Sequence, residues 1–140
     1  MNKHVKAFSL AEVLIALGIL ALMASLIYPV MQGNRERAAY NVSSSNLRAV
    51  SRAMEHHYLE RGAYPVFASW DEIAASDSPL LEYANEIPKT DEWGRPYTIV
   101  ESTDSAYVFE GLSAKGKQAQ EYPDYTVETG GRFKQKGKGD

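Results

Sequence analysis

The stretch VLIALGILALMASLIYPVM, residues 13–31, decides the fold of this chain, because it sets an apolar segment apart from a polar remainder. The 22 positions from Val13 to Asn34 carry no charged side chain. A bilayer core of about 30 Å is crossed by roughly 20 apolar residues in a helix, so the run has membrane-spanning length. We therefore expect a single-pass transmembrane helix that anchors a water-exposed head.

Composition limits what the rest of the chain can be. With 140 residues, of which 44% are hydrophobic, there is room for the anchor and one small domain but not for two full domains. The formal net charge of -3 argues against broad binding of nucleic acid, so we expect no specific nucleic-acid partner. Cysteine is absent, which excludes a disulfide framework and a thiol nucleophile. The spacing of the polar residues suggests no Ser/His/Asp set or phosphate loop, so we predict that the chain is not an enzyme.

The charges that flank the apolar run predict its orientation. Lys3 and Lys6 precede the run, and basic residues favour retention on the cytoplasmic side of a membrane. We therefore expect the N-terminus to face the cytoplasm and residues 35 onward to lie outside it, with membrane lipid around the helix.

Three interpretations of the N-terminus remain open on the residues alone: a cleaved secretory signal peptide, an ordinary membrane anchor, and a specialised assembly segment. Glu12 argues against the signal peptide, because a carboxylate at the edge of the apolar run is costly to place in a membrane. The run is also longer than the typical signal core of about 7 to 15 residues. In an ordinary anchor, Glu12 would simply lie at the headgroup boundary.

The string KAFSLAEVLIAL, residues 6–17, resembles the type III signal of prepilins and pseudopilins, the subunits of type IV pili and of type II secretion filaments. The resemblance implies that a prepilin peptidase cuts between Ala7 and Phe8 and that the new N-terminus, Phe8, is N-methylated. It also places Glu12 at the fifth position after the cut, where the family has glutamate. The family usually has glycine immediately before the cut, so Ala7 is a departure from its pattern.

The same resemblance implies that Phe8, Glu12 and Pro29 take part in filament assembly. Pro29 is the twenty-second residue counted from Phe8, where the family carries a proline that can melt the membrane helix during packing. A carboxylate buried in a filament needs a cationic partner, because an unpaired buried charge costs several kcal/mol. The freed α-amino group of Phe8 in a neighbouring subunit is the partner that we expect for Glu12.

Beyond the membrane the helix is predicted to continue to Arg61 and to seat the head with one apolar stripe. Gly62 is the expected C-terminal stop, and Pro65 follows it. The histidines at 56 and 57 stand beside Glu55 and Glu60, but adjacent helical positions point about 100° apart, so we expect solvated side chains there rather than a metal site. The stripe consists of Ala39, Val42, Leu47, Val50, Met54 and Tyr58.

The head is predicted to be a small antiparallel sheet packed on this helix, which gives an α+β, pilin-like fold. Ser69 and Glu72 form an S-x-x-E capping box that predicts a short helix through Ala75, and a helical turn is expected over 80–84. Strands are expected at 96–101, 105–111 and 124–129. The resulting division of the chain is a leader at 1–7, a transmembrane and assembly helix at 8–33, an amphipathic helix at 34–62, a globular head at 63–130 and a disordered basic tail at 131–140.

Two segments of the head extend the resemblance over most of residues 5–112. TDEWGRPYTI, residues 90–99, resembles the D-P-W-G-x-x-Y signature of the major pseudopilin of type II secretion systems, and RGAYP, residues 61–65, resembles the segment that closes its long helix. Gly94 permits a tight turn and Trp93 offers a large apolar surface, so we predict structural roles for this motif.

The loop after the second strand departs from the family, which usually carries calcium-binding aspartates there. Asp124, with Glu121 and Ser113 nearby, is the candidate metal ligand in this chain. Lys115 stands at about the place where an acidic ligand is expected, and its charge would repel calcium. We therefore expect no cofactor, and little effect of calcium on the stability of the head.

The resemblance implies a structural subunit of a periplasmic pseudopilus that drives type II protein secretion. Its expected partners are further copies of the chain in a filament, the prepilin peptidase, minor pseudopilins and an assembly platform in the inner membrane. Two alternatives are a type IV pilus subunit for adhesion, motility or DNA uptake, and a solitary membrane-anchored binding module.

Overall fold

The computed structural model describes residues 7–137, which form one long helix, a second short helix and a four-stranded sheet. The chain divides into two compact units, the first ending at Arg35 and the second beginning at Glu36. In chain order the elements are α1 Leu10–Arg61, α2 Trp70–Ile73, a 3-10 helix Pro79–Glu82, β1 Thr98–Ser102, β2 Tyr107–Gly111, a 3-10 helix Gly116–Ala119, β3 Tyr125–Glu128 and β4 Arg132–Gln135.

The first unit contains the apolar part of α1. The side-chain oxygen Oγ of Ser9 accepts the backbone N–H of Glu12 at 3.2 Å and so caps the first turn of the helix. Large apolar side chains along this part of α1 are exposed on all sides, and Pro29 lies inside the helix. Among the described residues this helix is long and apolar enough to cross a membrane, as the sequence predicts.

In the second unit, α1 packs against the sheet along a stripe that contains hydroxyl groups as well as apolar side chains. Leu47, Val50 and Met54 of the predicted stripe are buried, but Val42 and Tyr58 are exposed. The buried face instead includes Ser43 and other small residues, because these leave room for tyrosine side chains of the sheet to reach the helix. The buried set on α1 is Tyr40, Ser43, Ser44, Leu47, Val50, Ser51, Ala53 and Met54.

The helix ends where the sequence predicts. Gly62 has a φ of +76°, a left-handed conformation that side chains with a Cβ rarely adopt, and its N–H bonds to the carbonyl of Tyr58 at 2.7 Å. The chain therefore leaves the helix after Arg61, the last helical residue.

The sheet is antiparallel throughout, with the strand order β1-β2-β3-β4. The predicted hairpin of β1 and β2 is confirmed, with Ile99 opposite Phe109 and an irregularity in register between Ile99 and Glu101. Strand β3 is confirmed as the third strand, with Val127 opposite Phe109. The inward side chains of β2 and β3 alternate with partly exposed ones, so one face of the sheet forms the core with α1.

The predicted disordered tail at 131–140 is wrong for its first residues, since 132–135 form strand β4 paired to β3. The three-residue loop of Thr129, Gly130 and Gly131 joins the register partners Glu128 and Arg132, and both glycines have a positive φ, as hairpin loops require. The ring of Phe133 faces inward, 5.6 Å from that of Tyr125, so the strand contributes apolar contact despite its basic composition. Residues 138–140 lie outside the described part of the chain.

The short helices differ in detail from the predictions. Helix α2 ends at Ile73 and not at Ala75, and the Ser69 side chain makes no capping hydrogen bond. The carboxylate of Glu72 instead accepts the N–H of Ala68 at 2.9 Å, one residue earlier than a capping box requires. The predicted turn over 80–84 is present as the 3-10 helix Pro79–Glu82, and the Ser78 side chain caps it by accepting the N–H of Leu80.

Candidate functional site

The N-terminal segment exposes the residues that the sequence marks for processing and assembly. Ala7 and Phe8 precede the first turn of α1 and are exposed, and the Phe8 side chain retains 83% of its accessible surface. Glu12 lies exposed in the first turn, and Pro29 is exposed further along the helix. Among the described residues, Ala7, Phe8 and the Glu12 carboxylate are thus left uncovered by the rest of the chain.

The apolar surface of this segment is too extensive for a protein in water. Exposed apolar patches on soluble monomers rarely exceed a few hundred Å². Here large side chains stay exposed from Leu10 to Met31, about six helical turns at 3.6 residues per turn, and none of the most apolar window is buried. This surface requires lipid or other apolar helices around it.

In the second unit, the motif at 90–99 forms a tight turn built around the carboxylate of Asp91. Its oxygen Oδ1 accepts the backbone N–H groups of Trp93 at 3.0 Å and Arg95 at 2.8 Å. The turn is closed by a hydrogen bond from the N–H of Asp91 to the carbonyl of Arg95 at 2.7 Å. Gly94 has a φ of +79°, so the predicted role of this glycine in a tight turn is confirmed.

The motif is fastened to α1 by hydrogen bonds to two helical residues. Trp93 donates its indole N–H to the carboxylate of Glu36 at 3.0 Å. Ser43 contributes twice: its hydroxyl accepts the N–H of Glu92 at 3.0 Å, and its carbonyl accepts the hydroxyl of Tyr97 at 2.9 Å. These contacts give the motif the structural role predicted from the sequence.

Arg95 extends this structure to the loop between β2 and β3. Its Nε donates to Oδ2 of Asp91 at 2.8 Å, and its Nη2 donates to the carbonyl oxygen of Ser113 at 2.7 Å. The guanidinium carbon lies 4.7 Å from the centre of the Trp93 ring. The Asp91 side chain is almost fully buried, with 3% of its surface exposed, so this ion pair is shielded from solvent on the carboxylate side.

The loop from Leu112 to Asp124 is held by its own polar groups as well. Asp124 accepts the N–H of Ser113 on its oxygen Oδ1 at 2.7 Å, and the N–H of Ala114 bonds to the carbonyl of Tyr122 at 2.9 Å. Tyr40 of α1 donates its hydroxyl to the carbonyl of Pro123 at 2.8 Å, and its ring lies 5.2 Å from that of Tyr122. The loop is thereby anchored at both ends on the head.

The 112–124 loop carries few of the ligands that calcium takes from proteins. Calcium takes six to eight oxygen ligands, several of them carboxylates. Glu121 and Asp124 are the acidic side chains of the loop, Asp124 already accepts an N–H, and the 112–124 segment also carries Lys115 and Lys117. Within residues 7–137, no three His, Cys, Asp or Glu side chains are grouped to hold a metal ion.

The carboxylate of Glu55 accepts hydrogen bonds from three distant parts of the head, a role that the sequence does not predict. Its oxygen Oε1 accepts the hydroxyl of Tyr107 at 2.8 Å and the N–H of Gly130 at 2.7 Å, and Oε2 accepts the hydroxyl of Tyr64 at 3.0 Å. The hydroxyls of Ser51 and Tyr107 are 2.6 Å apart. The carboxylate therefore joins α1 to β2 and to the β3–β4 turn. In the sequence Glu55 lies outside the predicted apolar stripe, so no local signal marks this role.

The tyrosines around Glu55 are harder to ionise than free tyrosine. Burial raises the pKa of the Tyr64 hydroxyl to about 12, with a further contribution from its hydrogen bond to Glu55. Burial also raises the pKa of Tyr107, again assisted by Glu55. Both groups stay neutral at physiological pH and donate to the carboxylate.

Neither His56 nor His57 belongs to a group of metal ligands among residues 7–137. The ring of His56 stacks on Tyr83 with centroids 6.2 Å apart, and the Nδ1 atom of His57 is 2.8 Å from the carbonyl oxygen of Ala63. His56 is exposed and His57 is partly buried.

These features define a class of protein: a membrane-anchored, pilin-like subunit with one apolar helix and an α+β head. Residues 2–28 match the family model described as the prokaryotic N-terminal methylation motif. Curated relatives named type II secretion system core protein G align over most of the chain. The chain belongs to the type II secretion system core protein G family.

Three of these relatives illustrate the extent of the match. The protein from Klebsiella pneumoniae is 30% identical over 104 residues, covering 68% of this chain and 74% of the relative. The protein from Aeromonas hydrophila is 29% identical over 108 residues, covering 71% and 75%. The protein from Pseudomonas aeruginosa is 25% identical over 127 residues, covering 84% and 89%. The chain is thus a type II secretion pseudopilin, anchored in a membrane, and not an enzyme.

Proposed function

We propose that this pseudopilin is cut between Ala7 and Phe8 by the prepilin peptidase, methylated on Phe8 and built into a periplasmic filament that drives type II protein secretion. The observation that carries the proposal is the N-terminal segment, which exposes Ala7, Phe8 and Glu12 ahead of an uncovered apolar helix. The match of residues 2–28 to the methylation motif supports the same processing. The head, which lacks an apolar segment of this kind, remains water-exposed.

The topology follows from charge and hydropathy. Lys3 and Lys6 keep the N-terminus cytoplasmic, the apolar part of α1 spans the inner membrane, and the head lies in the periplasm. Before assembly, lipid covers the exposed side chains of the helix; in the filament, the helices of other copies replace the lipid. The assembly platform and minor pseudopilins are the further partners of this process.

Glu12 gives the filament its register. In a bundle of apolar helices an unpaired carboxylate is costly, so the docked position of a new subunit is the one that brings a cation to Glu12. Removal of residues 1–7 creates this cation as the α-amino group of Phe8. Pro29 contributes by weakening the helix locally, since it lacks the N–H that would bond within the helix.

A surface type IV pilus is the alternative use of the same kind of subunit. The relatives favour secretion, because all eight that align are named type II secretion system core protein G. The two functions are separated by deleting the gene and following a secreted substrate. Loss of secretion with the substrate retained in the periplasm supports the secretion filament, whereas loss of surface pili with normal secretion contradicts it.

The role of Glu12 is tested by filament yield in cells that contain the assembly machinery. Glu12→Val is expected to insert in the membrane with a folded head but to give no filament, because insertion favours the apolar side chain while docking loses its charge partner. Glu86→Val, which removes an exposed carboxylate from the head, is the matched control and keeps the wild-type yield. A wild-type yield of filament from Glu12→Val would refute the pairing with Phe8.

A further inference from the structure

We propose that the Arg95 guanidinium is the fixed cation that holds the 112–124 loop on the head, and that the loop keeps its conformation without calcium. The proposal concerns the folding of the head and is independent of whether the chain assembles into a secretion filament. It follows from how the polar groups of Asp91, Arg95, Ser113 and Asp124 are paired.

The guanidinium of Arg95 is fixed by two contacts within the motif at 90–99. The buried carboxylate of Asp91 binds its Nε at 2.8 Å, and the face of the Trp93 ring lies 4.7 Å from its guanidinium carbon. An arginine side chain is planar and permanently protonated, so these two contacts fix both the position and the direction of its remaining donors. One of those donors, Nη2, meets the Ser113 carbonyl at 2.7 Å.

Ser113 is held at both of its backbone polar groups. Its carbonyl accepts from Arg95, and its N–H donates to the carboxylate of Asp124 at 2.7 Å. Backbone carbonyls and aspartate oxygens are the ligands that calcium takes from proteins. In this chain the Ser113 carbonyl and the Oδ1 atom of Asp124 each accept an N–H donor, so the loop has an internal substitute for a bound cation.

The surrounding charges reinforce this arrangement. A divalent ion at the Ser113 carbonyl would lie within a few ångströms of the Arg95 guanidinium, and two cations at that distance repel strongly. Lys115 and Lys117 add positive charge to the same loop. The backbone N–H of Lys115 donates to the Glu36 carboxylate at 3.3 Å, so this part of the loop is tied to α1.

The lysines of the loop provide a local readout of whether it is closed. Lys115 and Lys117 are exposed within it, while Lys89 is exposed elsewhere in the head. The full chain in detergent micelles is treated with a lysine-specific endoproteinase that needs no calcium, in millimolar calcium chloride or in excess chelator. Mass spectrometry of the fragments gives the cleavage rate at each lysine.

For the wild-type chain we expect the rate of cleavage after Lys115 and Lys117 to be the same in calcium and in chelator. Protection of these two sites by calcium, with unchanged cleavage after Lys89, would overturn the proposal. This comparison needs no variant, so it decides the calcium question even if a substituted head folds poorly.

The part played by Arg95 is tested by Arg95→Gln and by the milder Arg95→Lys. Loss of the hydrogen bond from a charged donor is expected to raise cleavage after Lys115 about tenfold in both solutions, with little change after Lys89. Arg95→Lys keeps the charge but loses the fork of donors, so it also raises cleavage. Arg61→Gln is the matched control, because it removes an exposed arginine paired with Glu82 and leaves the loop intact. Loop cleavage unchanged from wild type in both Arg95 variants would contradict the clamp.

Discussion

The ring of Tyr125 lies directly over the α-carbon of Gly111, on the neighbouring strand of the sheet. The two residues are register partners in the β2–β3 pair, and the Tyr125 side chain is fully buried. A Cβ atom at position 111 would overlap the ring carbon Cζ and the hydroxyl oxygen of Tyr125. Gly111 is therefore required by the close approach of a side chain and not by its own backbone conformation.

Gly111→Ala is expected to destabilise the head by about 1–3 kcal/mol, because the added methyl group forces Tyr125 out of its position in a packed core. The measurement is urea unfolding of the full chain in micelles, followed by the fluorescence of Trp70 and Trp93, which both lie in the head. In the background of Tyr125→Leu, which removes the overlapping atoms, the same substitution should cost clearly less. Equal costs in the two backgrounds would show that the overlap is not the cause.

The hydroxyl groups of Tyr125 and Tyr107 are predicted to have opposite effects on stability. The buried Tyr125 hydroxyl has no hydrogen-bond partner among residues 7–137, so Tyr125→Phe should leave the free energy of unfolding unchanged or raise it. The Tyr107 hydroxyl donates to Glu55 at 2.8 Å, so Tyr107→Phe should lower the free energy by about 1–2 kcal/mol. The same urea experiment measures both variants. Similar losses in the two would contradict the assigned hydrogen bonding.

The stability of the head is predicted to fall in alkaline solution. The pKa of Tyr64 is raised from 10.0 to about 12 in the folded chain, so the folded state keeps a proton that the unfolded state loses. The contribution is fully present below pH 10, declines above it, and is lost as the pH passes about 12. Urea midpoints measured from pH 8 upward should therefore be level at first and then decrease. In Tyr64→Phe the decrease should be smaller; an identical profile in that variant would exclude this tyrosine as a cause.

The anchor and the hairpin could be predicted because their signals are local. The uncharged run from Val13 to Asn34 specifies a membrane helix by its length alone, and strand β2 alternates between buried and partly exposed side chains. Gly62 marks the end of α1 in the same local way. In these segments the residues that form the sequence pattern are the same residues that form the helix, the strand or the helix end.

What could not be predicted depends on partners distant in sequence. Ser43 and Ser51 read as polar breaks in the helical stripe, yet both are buried because Tyr97 and Tyr107 bring hydrogen-bonding groups to them. Strand β4 was missed because its basic composition obscured the inward position of Phe133 and the hairpin signal of the two preceding glycines. The hydrogen bond from Arg95, in the motif at 90–99, to Ser113, in the 112–124 loop, likewise has no local signal in the sequence.

The central claim is that this chain is a processed pseudopilin, and the mass of its N-terminal peptide tests it most directly. The protein is isolated from membranes of cells with an active prepilin peptidase and, for comparison, of cells that lack the peptidase. We predict that the first sample begins at Phe8, carries one N-methyl group and lacks residues 1–7, and that the second retains residues 1–7. An unprocessed N-terminus in both samples, or a cut beyond residue 20 within the apolar helix, would contradict the account.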